Sequence, residues 1–262
     1  MHINSMIYLS YMKEEDINIE CRQIWEELGP WWDASVEDGD FFHKVFVFPT
    51  IDKFLNIQGN EDVLDAGCGN GALTRRIAKM GANVSGVDFS SSLIKQARLR
   101  SPNISYQEID LTSKEQLSQL AQTQIYDRIV CSMVLHDMST VDPFFESLRL
   151  LLKPKGSFIF SIPHPHFNSP YVSLGHSDFL AVTDYIQSNT FRLRSKPDQP
   201  IDQLVFHRPM TYYFNLMIAQ GMVMTGFEEP CIDSKLLPEN SLWKKYPGIP
   251  PTLISRWTFL ES

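Results

Sequence analysis

Residues 63–78 read VLDAGCGNGALTRRIA, an apolar run that enters a cluster of glycines and leaves it in a helical pattern. A strand, a tight turn and a helix in that order make the first unit of an open parallel sheet, whose ligands bind beyond the carboxyl ends of the strands. Gly67, Gly69 and Gly71 let the chain turn sharply and let a ligand approach the backbone. The spacing Gly67-x-Gly69-x-x-Ala72, with Asp88 about where a ribose-binding acid is expected, also satisfies the dinucleotide fingerprint. The glycines alone therefore do not separate a nicotinamide enzyme from other nucleoside binders. Asp65, at the end of the strand, does. A carboxylate there repels a pyrophosphate in a partly desolvated pocket and attracts an ammonium group.

Outward from this unit, strands are expected at DVLDA, NVSGVD, ISYQEID, YDRIVCSMV and GSFIFSIP. Helices are expected at GALTRRIAKMG, SSSLIKQARLRS, SKEQLSQLAQT and VDPFFESLRLLLKP. This alternation reads as right-handed β-α-β units. Residues 1–58 have helical spacing and a heavy aromatic load (Trp25, Trp31, Trp32, Phe41, Phe42), and are expected to form a helical lid. Residues 164–208 interrupt the rhythm with HPHFNSPYVSLGHSDF and a hairpin, TFRLRS to DQLVFH. This insertion after the fifth strand is expected to cap a substrate cavity with Phe167, Tyr171, Phe179, Tyr185 and Phe191. A helix at MTYYFNLMIAQG and strands at MVMTGFEEP and TLISRWTFLE complete seven strands. The expected fold class is α/β, a doubly wound, mostly parallel sheet filling residues 59–262.

The 262 residues are 43% apolar and 21% charged, with a formal charge of −8. That balance argues against nucleic acid, since neutralising phosphates needs basic clusters. Four scattered cysteines show no zinc spacing and no disulfide framework, so a reduced cytoplasm is the expected setting. The N-terminal residues lack a basic leader and a cleavage site, and no run approaches a membrane span. Monomer and homodimer both remain open.

S-adenosylmethionine has the chemistry that three strand-end acids require. Asp65 receives its ammonium directly or through water, and Asp88 accepts from both ribose hydroxyls. Asp110, beside Leu111, accepts from the adenine amino group or else caps the next helix. Phe89 packs on adenine or fills the core. VLDAGCGNG, VSGVDFS, YQEIDL and YDRIVCSMVLHDM, in that order and at that spacing, resemble the motifs of class I S-adenosylmethionine-dependent methyltransferases of the bacterial small-molecule type. The resemblance covers residues 61–163 and, more loosely, the last strands. It implies a Rossmann-like fold ending in an antiparallel strand pair, and a glycine loop (Gly67, Cys68, Gly69, Gly71) that cradles the cofactor. It further implies ribose binding by Asp88, cofactor-lining backbone at Cys131 and Met133 (or core packing by their side chains), and His43 in the pocket.

Such an enzyme transfers methyl in line to oxygen, nitrogen or carbon of a small, aromatic or apolar molecule and leaves S-adenosylhomocysteine. The protein's task is orientation, with a general base where the acceptor must lose a proton. His166 and His136 are the expected bases, and His164, Phe167 and His207 join them in the substrate pocket. His164-x-His166 lacks a third ligand, so no metal is expected. Arg75 is a partner for the cofactor carboxylate or for a surface acid. An RNA- or peptide-directed methyltransferase, and a cofactor-binding protein that does not methylate, are the rival readings. Against the RNA-directed form stand the acidic charge and CSMV where amino-directed nucleic-acid enzymes carry an NPPY-type motif.

Overall fold

Strand parity organises the molecule. Val63, Val130, Ile159 and Ile254 face one apolar cluster, whereas Leu64, Ile129, Cys131, Phe158, Phe160 and Leu253 face another. Successive side chains of a strand point to opposite faces, so short fully apolar runs serve two cores at once. The computed structural model describes residues 13–167, 172–174, 180–231 and 248–260, together with positions 235, 237, 239 and 244.

Among the described residues the first elements are α1 (Glu14–Val36), a π-helical turn (His43–Val47) and α2 (Phe48–Leu55). Then β1 (Asp62–Ala66), α3 (Ala72–Lys79), β2 (Asn83–Asp88), α4 (Ser91–Arg100) and β3 (Ser105–Glu108) build one half of the sheet. The second half follows as α5 (Lys114–Thr123), β4 (Tyr126–Ser132), α6 (Asp142–Leu151) and β5 (Leu152–Pro163). Two antiparallel pairs come next, β6 (Val172–Leu174) with β7 (Leu180–Val182) and β8 (Asn189–Leu193) with β9 (Gln203–His207). The chain then runs through α7 (Met210–Ala219), β10 (Met222–Glu228) and β11 (Thr252–Phe259).

The seven-stranded sheet has the order β3-β2-β1-β4-β5-β11-β10 and is parallel except that β11 runs antiparallel to β5 and β10. The expected doubly wound sheet is the one observed. Its order reverses between β1 and β4, which opens a crevice at their carboxyl ends. One face is covered by α5, α6 and α7, with Phe144 and Phe145 of α6 against Phe158 and Phe160. Burying each such ring stabilises the fold by about 1.5–3 kcal/mol. The opposite face is covered by α2, the π-helical turn and α3.

Two local outcomes differ from the sequence expectations. The helix before β5 ends at Leu151 and the strand begins at Leu152, two residues ahead of Pro154. A proline forces the residue before it out of the helical region, so Lys153 is extended. The expected lid of residues 1–58 divides: α1 is a cover, but α2 buries Ile51 and Leu55 completely against the sheet. From the insertion, Leu204 and Phe206 of β9 pack on Cys21 and Ile24, beside the cleft-lining side chains of α1.

Candidate functional site

At the switch point lies a cleft with an empty volume of about 1030 Å³, walled by the ends of β1, β2 and β4, the glycine loop and α1. The loop exists because Gly67, Gly69 and Gly71 all adopt positive φ, at 77°, 52° and 77°. A Cβ on Gly67 would stand 2.5 Å from Val134 Cγ2, whereas one on Gly69 would meet nothing within 4 Å and would enter open space at the cleft wall. Gly67→Ala is accordingly expected to cost about 3 kcal/mol in chemical denaturation, and Gly69→Ala about 1 kcal/mol. The reverse order would contradict this loop geometry. Met133, just past β4, also has positive φ (57°) without being glycine. Its amide donates to Ser161 O at 2.9 Å and to Ser161 Oγ at 3.1 Å, which holds the turn that brings it to the cleft.

The three strand-end acids reach this cleft, each with built-in donors. Asp65 is buried, and its Oδ2 accepts from Thr74 Oγ1 at 2.6 Å. Burial pushes its carboxyl up to about 7, the Thr74 hydrogen bond opposing and the Asp88 charge adding to the shift. Asp88 accepts from the Gly69 amide and the Ser90 amide, both at 2.9 Å. Burial pushes it up to about 6 against those two hydrogen bonds. Asp110 Oδ1 accepts from the amide and hydroxyl of Thr112, and Oδ2 accepts from Asn18 Nδ2 at 2.8 Å. It does not cap α5: Ser113 does, with its hydroxyl accepting from the Gln116 amide. Phe89 and Leu111 line the wall between Asp88 and Asp110, and Cys68 lines the loop side. Burial raises the Cys68 thiol well above its usual range, which keeps it a neutral packing group.

Helix α1 closes the cleft with Asn18, Trp25, Trp32 and Val36. A polar clasp ties it to the glycine loop. Arg100 donates to both oxygens of Asp33 at 2.9 Å, and Asn70 Nδ2 donates to Asp33 Oδ1 and Glu37 O at 2.9 Å. Arg75 belongs to this clasp, ion-paired with Asp38 at 2.6 Å and donating to Asn70 O. Of the two roles expected for Arg75, the structure shows the one with a surface acid, and Arg75 does not line the cleft.

Several expected site residues stand elsewhere. Cys131 is fully buried on the α6 side of the sheet, where strand parity sends it with Ile129. Gly71 does not line the cleft, and a Cβ on it would stand 2.5 Å from Tyr106 Oη. None of His136, His164, His166, Phe167 and His207 lines the cleft. His166 stacks on Tyr185 with ring centroids 3.7 Å apart, and His207 Nε2 contacts Tyr185 O at 2.8 Å. His164 Nε2 pairs with Glu229 Oε1 at 2.7 Å, and its ring lies 4.7 Å from that of Phe167. His164, His166, Phe167 and His207 thus form an aromatic cluster with Tyr185. Tyr171 and Phe179 lie outside the described residues. His136 is pulled down to about 3 by burial and by the Arg208 charge, a poor setting for a base near neutrality.

Sequence reasoning missed Asp137, the neighbour of His136, which does line the cleft. Its Oδ1 accepts from Gln203 Nε2 at 2.9 Å, and burial raises its carboxyl well above the ordinary range. It also missed Asn18 and the brace of Arg208, whose guanidinium donates to the Leu135, Met138 and Ser139 carbonyls at 2.8–3.0 Å. Strand alternation does not extend into the turn after β4, so no periodic signal marked Asp137. His43 does line the cleft, from the start of the π-helical turn. Among the described residues no three His, Cys, Asp or Glu side chains group as metal ligands, and no helix is long and apolar enough to cross a membrane.

A family model described as a methyltransferase domain matches residues 57–204, more than half of the chain. The chain belongs to the class I S-adenosylmethionine-dependent methyltransferase family. Two curated relatives of this methyltransferase chain carry the name ubiquinone biosynthesis O-methyltransferase. The one from Histophilus somni is 33% identical over 139 residues, covering 50% of this chain and 57% of the relative. The one from Hydrogenovibrio crunogenus is 31% identical over 142 residues, covering 53% and 58%. The match thus spans a little over half the length of these relatives. A crystal structure of an S-adenosylmethionine-dependent methyltransferase from Mesorhizobium loti superposes with a TM-score of 0.64 at 24% identity, covering 80% of this chain and 95% of that one. At that identity the likeness speaks to the shared fold.

Proposed function

We propose that this methyltransferase chain binds S-adenosylmethionine in the cleft and methylates a small aromatic or apolar molecule, leaving S-adenosylhomocysteine. One observation carries the reading. Asp65, Asp88, Asp110 and Asp137 line the cleft, and among the described residues no lysine or arginine does. A diphosphate in that setting meets carboxyl groups and no counter-charge, whereas a cationic nucleoside is favoured by whichever of them are ionised. The space above Gly69 admits a ligand against the backbone, so the residues present fit this cofactor.

In this reading Asp88 holds the ribose hydroxyls with the lone pairs its two amide partners leave free. Phe89 and Leu111 flank the adenine beside Asp110, and Asp65 with the Gly67 turn faces the amino-acid end. When bound, the cofactor supplies an activated methyl on a sulfonium. The Trp25 and Trp32 faces exclude water and attract positive charge. The relatives' name supports oxygen as the acceptor atom. The lack of cationic side chains in the cleft supports a small molecule over a polynucleotide, and free cysteines at 21, 68, 131 and 231 suit a reducing cytoplasm.

Calorimetric titration tests the reading directly. S-adenosylmethionine and S-adenosylhomocysteine are expected to bind at micromolar or tighter affinity, and NAD at least 100-fold more weakly. Retention of NAD with no response to either sulfur nucleoside would end it.

A further inference from the structure

One titratable side chain on the cleft wall, His43, is given no role in the cofactor reading above, and a carboxylate stands behind it. His43 lines the cleft and opens the π-helical turn, a local irregularity that is frequent at functional sites. Its Nδ1 lies 2.7 Å from Asp40 Oδ1, and its backbone amide donates to the same oxygen at 3.0 Å. Asp40 is held in turn by Lys196, whose ammonium sits 2.7 Å from Oδ2. Lys196 arrives from the β8–β9 connection, donates to Ser35 Oγ at 3.3 Å and lies over the Trp32 ring. Burial by itself would raise the Asp40 carboxyl, but His43 and Lys196 outweigh it and hold Asp40 well below the ordinary carboxylate range.

This arrangement decides a tautomer. An ionised carboxylate only accepts, so Nδ1 must be the nitrogen that carries the proton. Nε2 of the neutral ring then keeps its lone pair, which is the state a base requires. The position agrees with that role. The His43 ring lies 5.7 Å from that of Phe48, which shares an apolar cluster with Met133. His43 and Phe48 both line the cleft, as do Asp65 and Met133.

We propose that His43 is the general base of this enzyme, removing the proton from a phenolic hydroxyl of the acceptor, with Asp40 as its positioning partner. The inference rests on the methyl-transfer reading above. The acceptor oxygen's lone pair forms the new O–C bond as the C–S bond breaks. The C–S pair stays on sulfur as a neutral thioether, and the hydroxyl proton goes to Nε2. The imidazolium so formed faces the Asp40 carboxylate. A phenol, with an acidity near tyrosine's (about 10), is within reach of an imidazole. An aliphatic alcohol, nearly as weak an acid as water (about 15.7), is not. The aromatic walls of Trp32 and Phe48 suit a ring of that kind.

Two measurements test the pair on the full chain. In the S-adenosylhomocysteine complex at pH 8, the ¹⁵N imidazole spectrum of His43 is expected to show a protonated Nδ1 and an unprotonated Nε2. A proton on Nε2 overturns the proposal without any turnover being needed. With 4-hexylcatechol as acceptor, His43→Gln is expected to lose about 100-fold in kcat, with the nucleoside Kd changed less than threefold. Asp40→Asn is expected to lose about tenfold and to disturb the His43 tautomer. Unchanged kcat in His43→Gln overturns the base, and wild-type protein that binds the nucleoside yet leaves the catechol unmethylated overturns the phenol assignment. Wild-type protein that binds neither sulfur nucleoside fails at the earlier step, and so identifies the cofactor reading as the fault.

Discussion

Asp88→Ala is expected to weaken S-adenosylhomocysteine binding by about 100-fold while the variant remains folded. The carboxylate offers acceptor sites beyond those used by the Gly69 and Ser90 amides, and a ribose diol presents two donors to them. Two hydrogen bonds to a buried charged acceptor are worth about 1.5–3 kcal/mol each, and part of that is offset because alanine relieves the cost of burying the carboxylate. A net loss of about 2.7 kcal/mol corresponds to the stated factor. Loss of the acceptor also leaves the Gly69 amide unpaired, which loosens the loop against the ligand. Calorimetry on wild type and variant, with thermal unfolding as the control for folding, reads the effect. An unchanged Kd would remove Asp88 from the ribose site.

The second large effect is a dependence of affinity on pH that Asp65 controls. Its carboxyl, raised to about 7 by burial, is mostly protonated at pH 5.5 in the free protein. A ligand bearing an ammonium group prefers the ionised form, so binding at pH 5.5 must expel a proton. The affinity is therefore expected to rise about 15-fold between pH 5.5 and pH 7, and about twofold more before it levels off above pH 8. Asp88, raised to about 6, adds a smaller rise at the acid end. For stability of the free protein the sign is opposite. A raised carboxyl pKa contributes stability that is fully present below about 4 and is lost as pH rises through about 7. Asp65→Asn should flatten both curves, and a wild-type affinity that is level from pH 5.5 to 7.5 would contradict the account.

The parts of this site that could be read from the chain were those set by short-range chemistry. Strand ends followed by acids, and glycines that require positive φ, place Asp65, Asp88, Asp110 and the loop without knowledge of distant contacts. The histidines were read by residue type and by nearness to strand ends. Their real placement depends on which way a 45-residue insertion folds, which no local pattern encodes. The reading also chose His136 over Asp137 in one dipeptide. The turn after β4 presents the aspartate to the cleft and the histidine to Arg208. The burial of the Cys131 side chain could have been read by counting alternate residues from Ile129. Met133, with its left-handed backbone, could not have been anticipated, because nothing in methionine favours that conformation.

The clasp between α1 and the glycine loop bears on how small this enzyme can be made. A fragment trimmed to residue 57, where the shared domain begins, would leave Arg100 and Asn70 without Asp33 and would lack the tryptophan wall. The first helix is thus an integral panel of the reaction chamber, and homology boundaries are a poor guide to where this chain can be cut.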